Sequence, residues 1–180
     1  MSQINYCLEI IKNLGNKENH IRGLAKELDT NQMMVSRKIH QLESVNVVDY
    51  KQEGKNKVYF LKNSLEAKQY LFISEHDRVL KTIHKYPFLK SIFNDIRQNN
   101  RVNLAVLFGS YAKGTAHNNS DIDIYIDTTS QELKKEVELI NSRISVKIGR
   151  IDASNPLVKE IKKNHVIIKG VETYYEKIPA

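Results

Sequence analysis

Apolar residues recur at Ile4, Leu8, Ile11 and Leu14, a helical period that predicts a first helix closed by Gly15, a residue suited to a left-handed C-terminal turn. A second stripe follows at Ile21, Leu24, Ala25 and Leu28. The polar run "DTNQ" then interrupts the pattern with residues that favour turns and N-caps. Val35, Ile39 and Leu42 form a third stripe, and the opposite face of that helix carries Gln32, Met33, Ser36, Arg37 and His40 with no acid between Asp29 and Glu43. In "VVDYKQEGKNKVYFLK" two β-rich runs flank Gly54, which predicts a hairpin with Lys51, Lys55 and Lys57 towards its tip. Residues 64–99 read as two helical stretches. "SEHD" at Ser74 is placed to cap the second part of the first stretch, and Pro87 is placed in the first turn of "PFLKSIFNDIRQ".

The order of three helices, a four-residue turn before the third, and a basic hairpin resembles a winged helix-turn-helix, and "VSRKIHQLESVNVV" resembles the recognition helix of bacterial and archaeal regulators of that type. The resemblance implies double-stranded DNA as a partner. Gln32, Met33, Ser36, Arg37 and His40 would enter the major groove, and Lys51, Lys55 and Lys57 would meet phosphates. A fold of this kind can equally dock on a protein or on a second copy of the chain, so both readings stand at this point.

The later pattern differs. "VNLAVLF" is apolar throughout and predicts a strand buried on both sides, ended by Gly109 and Ser110. Glycine lets a ligand approach the backbone there, and the serine opens a short helix, "YAKG", at a corner that suits a phosphate. After the polar spacer "GTAHNNS" come Asp121, Ile122, Asp123, Ile124, Tyr125 and Ile126 in alternation, which puts two carboxylates on one face of a strand and three isoleucines on the other. Carboxylate oxygens beside substrate phosphates are a setting for Mg²⁺, or Mn²⁺ in its place.

Gly109, Ser110, Gly114, Ser120, Asp121 and Asp123 resemble the Gly-Ser, ten-residue spacer, Asp-x-Asp signature of the minimal nucleotidyltransferases, in the DNA polymerase β-like superfamily. The resemblance spans Pro87 to about Gly170. It implies an NTP held by Gly109, Ser110 and Ser120, metal held by Asp121 and Asp123, and transfer of a nucleoside monophosphate to a hydroxyl. Lys113 stands where relatives often carry arginine; it either faces phosphate or is simply solvated. The resemblance also calls for a third carboxylate on a neighbouring strand. The strand candidate "ISVKIGRID" offers Ser145 with Lys147 on one face, and the next acid is Asp152, either the third catalytic carboxylate or a turn and capping residue before "ASNPLVKEI". Asn155 and Pro156 start a helix, and "HVIIKG" returns as a strand.

The expected fold is α+β. A winged helix-turn-helix over 1–63 and a helical connector over 64–86 lead to a nucleotidyltransferase-like domain over 87–180, a mixed sheet flanked by helices. Composition narrows the setting. The 180 residues carry net charge +7, spread as +2, +3 and +2 over 1–60, 61–100 and 101–180, so no polybasic tail exists. The single cysteine, Cys7, sits in an apolar stripe, excludes an intrachain disulfide and fits a core position in a reducing cytoplasm. No apolar run approaches a membrane span, so no membrane partner is expected. Three functions remain open on this reading: an NTP-using transferase coupled to DNA, a non-catalytic DNA-binding regulator with a degenerate nucleotide site, and, by analogy with some minimal nucleotidyltransferases, the antitoxin of a HEPN-type toxin.

Overall fold

The computed structural model describes residues 5–152 and 155–178; the place of Ile4 in the first helix lies outside them. The chain divides into two compact units, 1–77 and 78–180. In the first, α1 (Tyr6–Asn16), α2 (Ile21–Glu27) and α3 (Gln32–Ser44) precede the hairpin β1 (Val48–Glu53) and β2 (Asn56–Leu61). Ile10, Ile11, Leu24, Val35 and Ile39 are fully buried, as the helical stripes require. Asn31 caps α3: its side-chain oxygen accepts from the Met34 N–H at 2.8 Å. Asn31→Ala should therefore destabilise this unit by about 1 kcal/mol. An unchanged denaturation midpoint would contradict that role.

The hairpin pairs antiparallel from Val48 opposite Leu61 to Glu53 opposite Asn56, and Gly54 turns it at φ +60°. A bridge between Asn19 and Tyr59 adds a third short edge to the sheet, completing the winged helix-turn-helix arrangement. Gly15 differs from expectation. It lies within α1, and a Cβ there would sit 3.2 Å from Leu71 Cδ1, so glycine serves close packing instead of a C-terminal turn. Cys7 is half-buried, its thiol pushed up by burial and then lowered by Lys38.

Helix α4 runs unbroken from Leu65 to Lys85, and the division between the units falls inside it. Ser74 starts no new helix, because its buried hydroxyl donates back to the Leu71 carbonyl at 2.7 Å. α5 (Leu89–Gln98) begins two residues after Pro87.

The second unit continues through β3 (Ala105–Leu107), α6 (Gly109–Lys113), β4 (Ile122–Asp127), α7 (Gln131–Glu138), β5 (Ile144–Gly149), α8 (Pro156–Lys163), β6 (Val166–Lys169) and α9 (Val171–Lys177). Its sheet has the order β5-β4-β3-β6; β4 and β5 are parallel and the other neighbours antiparallel. The α7 crossover supplies the return that a parallel pair needs. One face of the sheet buries Ile122, Ile124 and Ile126 against Leu89, Ile92, Phe93 and Ile96 of α5 and Leu133 and Val137 of α7. Each such side chain contributes roughly 1.5–3 kcal/mol of burial, which fixes the register of β4 and turns Asp123 to the other face. Asn155 caps α8 ahead of Pro156, as expected, with its oxygen accepting from the Leu157 N–H at 2.9 Å.

Candidate functional site

The end of β3 and the start of β4 meet because the strands are antiparallel: Leu107 pairs with Ile124, and the Phe108 N–H donates to the Asp123 carbonyl at 2.9 Å. Gly109 follows at φ +70°, and a Cβ on it would lie 2.2 Å from Asp123 Oδ2. Only a glycine leaves room for that carboxylate against the backbone. Ser110 follows Gly109 in the five-residue α6, whose C-terminus is turned by Gly114 at φ +73°. The Gly-Ser corner and the Asp-x-Asp strand are thus one place in the fold.

Asp121 is exposed at the mouth of β4 and Asp123 is half-buried. Burial, then the negative charge of Asp121, hold the Asp123 carboxyl above the usual carboxylate range, while Lys147 pulls it back. With the folded pKa raised, stability tied to this group is full below its unfolded pKa and is lost as pH rises through the folded one. A divalent cation would reverse that loss. Among the described residues neither carboxylate makes a hydrogen bond or ion pair, so both keep their oxygens for a ligand. Two adjacent, mutually repelling carboxylates beside an open backbone corner fit Mg²⁺ or Mn²⁺ with further oxygens supplied by a phosphate. Among the described residues no group of three or more His, Cys, Asp or Glu side chains could hold a metal by itself.

The spacer is tied down by Ser120 and by Arg143, a residue the sequence did not single out. Ser120 Oγ accepts from the His117 N–H at 2.9 Å, so the structure gives Ser120 a loop-holding bond. The Arg143 guanidinium donates to the Asn118 carbonyl at 2.8 Å, reaches Tyr111 Oη at 3.4 Å, and lies 4.6 Å from the Phe88 ring centre. Its own carbonyl accepts from the Ile122 N–H at 2.8 Å. Arg143 therefore joins α6, the spacer and the start of the aspartate strand. Lys113 pairs with Glu160 at 2.9 Å, an exposed bridge that holds the Glu160 carboxyl below its ordinary value.

Across the parallel register Asp123 stands beside Ser145, and Tyr125 beside Lys147. No carboxylate of β5 shares this face. Asp152 lies elsewhere: with Asp127, Thr128, Thr129, Arg150 and Lys177 it lines a cavity of ≈650 Å³ at the C-terminal ends of β4 and β5. Asp127 is four residues from Asp123, about 13 Å along a strand, so the structure does not bring Asp152 to the aspartate pair. Tyr125 is buried between, its hydroxyl pushed up to about 12 by burial and then by Asp127. Tyr174 of α9 is buried, its ring centre 4.9 Å from that of His165.

On the first unit, Met33, Ser36, Arg37, His40, Gln41 and Ser44 line a shallow concavity along α3. Gln32 is exposed beside them, and Met33 is 82% exposed. His40 pairs with Glu43 at 2.9 Å, which ties its ring to the helix. Lys51 bridges to Glu18 and Glu53, whereas Lys55 is exposed at the tip and Lys57 lies 3.7 Å over the Tyr50 ring.

Residues 90–173 match the family model described as polymerase beta, nucleotidyltransferase. No curated protein matches the sequence. Among solved structures, the transcriptional repressor BigR of Xylella fastidiosa is 17% identical over 39% of this chain and 70% of its own, with a TM-score of 0.37. The adhesin competence repressor AdcR of Streptococcus pyogenes is 17% identical over 49% and 67%, with a TM-score of 0.42. Mb0332 of Mycobacterium bovis, a homodimeric winged helix-turn-helix DNA-binding domain, is 20% identical over 44% and 69%, with a TM-score of 0.36. No helix among the described residues is long and apolar enough to cross a membrane. The chain joins a winged helix-turn-helix fold to a mixed-sheet domain that is similar, over residues 90–173, to the polymerase beta nucleotidyltransferase model.

Proposed function

We propose that the second unit binds a nucleoside triphosphate with Mg²⁺ at the Gly109–Ser110 corner and the Asp121–Asp123 pair, and that the winged helix docks on double-stranded DNA. The observation that carries the nucleotide reading is the contact of Asp123 with the Gly109 backbone, which makes phosphate corner and carboxylate pair a single site. Asp121 and Asp123 would hold the metal, whose role when bound is to neutralise phosphate charge. Ser110 and the corner backbone orient the triphosphate, and Lys113 joins them only by leaving Glu160.

Transfer of a nucleoside monophosphate requires an acceptor hydroxyl oxygen to bond to the α-phosphorus as the bond to pyrophosphate breaks, with the hydroxyl proton passing to a base. Ser145 and Lys147 stand where a basic carboxylate is wanted, and Asp152 stands at the other end of the strand. That favours binding over turnover and gives weight to the regulator reading, in which nucleotide occupancy modulates DNA binding. The test is incubation with each α-labelled NTP, Mg²⁺ or Mn²⁺, and RNA, DNA or protein acceptors, a HEPN-type partner included. Transfer is expected to stay far below the roughly 1–100 s⁻¹ of kinase-type phosphoryl transfer and to be unchanged in Asp152→Asn. Fast transfer would overturn this account of the deficit, and its loss in a folded Asp152→Asn protein would make Asp152 the third carboxylate.

A further inference from the structure

We propose that Lys147 is a fixed phosphate-binding cation of the nucleotide site, standing in for a second divalent ion, so that the site takes one metal per nucleotide. This rests on the nucleotide reading above and assigns the charge balance of that same site. Ile144 and Val146 of β5 are buried with the isoleucines of β4, so Ser145 and Lys147 share the face of Asp123. Ser145, directly beside Asp123, is short and half-buried, and it leaves the flank of the carboxylate open. Lys147 is the next residue along that face. It is exposed and makes no hydrogen bond or ion pair among the described residues, although it acts on Asp123 across the strands.

The charges favour this assignment. A site with three carboxylates and two divalent ions presents 4 − 3 = +1 to a nucleotide. Here two carboxylates, one ammonium and one divalent ion present 2 + 1 − 2 = +1, the same attraction for a triphosphate. An ammonium at that position also repels a second cation. Lysine suits the task, because its compact charge on a flexible stem can follow a phosphate without demanding bidentate geometry.

The test uses the full chain and two readouts that need no turnover. Calorimetry of NTP at saturating Mg²⁺ should give Lys147→Ala an affinity about 10–100-fold weaker than wild type, the range of a lost charge-assisted hydrogen bond, with Lys147→Arg close to wild type. Mn²⁺ titrated against bound nucleotide and followed by electron paramagnetic resonance should give one ion per nucleotide in wild type, and two in Ser145→Asp with Lys147→Ala. Wild-type affinity in Lys147→Ala, or two ions per nucleotide in the wild type, would overturn the proposal while leaving the nucleotide reading standing. No NTP binding by the wild type at all would instead overturn the nucleotide reading, and this proposal with it.

Discussion

Gly109→Ala is expected to weaken Mg–NTP binding at least 10-fold while lowering the melting temperature by only a few degrees. The alanine methyl would overlap Asp123 Oδ2, since a Cβ lies 2.2 Å from that oxygen, and the left-handed backbone at φ +70° adds roughly 1–2 kcal/mol of strain. The carboxylate must swing away from the corner, so the two halves of the site separate. Gly54→Ala is the control. Gly54 has a similar φ of +60° with nothing within 4 Å of its Cβ position, so it takes the same backbone strain and should leave nucleotide affinity untouched. Melting curves and calorimetry on both variants decide the matter; equal Mg–NTP affinity in Gly109→Ala and wild type would contradict the geometry.

The second large effect concerns DNA. Lys55 and Lys57 form no ion pair with an acid among the described residues, whereas Lys51 is already engaged by Glu18 and Glu53. Lys55→Ala with Lys57→Ala should weaken binding to all sequences alike and reduce the slope of log affinity against log salt by about 2, one per lost phosphate contact. Arg37, on the concave face of α3, should act differently. Arg37→Ala is expected to relax preference at one base position, by about 10–100-fold if its contact is bidentate to guanine. Selection from a random duplex library followed by salt titration measures both. If no duplex is enriched at low salt, the winged helix docks on protein instead.

Much of this fold could be read from the sequence because its signals are local. The period of α3, the alternation of β4 and the Gly-Ser corner each depend on neighbours a few residues apart. What the sequence misplaced depends on tertiary contact. Ser74 resembles a helix cap until its burial within α4 turns the hydroxyl onto Leu71, and Gly15 resembles a helix stop until Leu71 is found against it. Asp152 follows β5 closely in sequence, yet strand direction carries it away from Asp121; a strand converts sequence separation into distance at about 3.3 Å per residue. Arg143 bears no motif. Its importance comes from Tyr111, Asn118 and Phe88, which converge on one guanidinium, and no periodicity announces that.

On the proposed reading, corner and aspartate pair form one metal-assisted nucleotide site. Calorimetric titration of an NTP into the full chain, with and without Mg²⁺, beside the Asp121→Asn with Asp123→Asn variant, tests it most directly. Mg²⁺-dependent binding is expected in the wild type, accompanied by a rise in melting temperature because the ligand binds the native state, with loss of both in a variant that remains folded. Equal Mg–NTP affinity in the two proteins would contradict it and place any nucleotide elsewhere in the molecule.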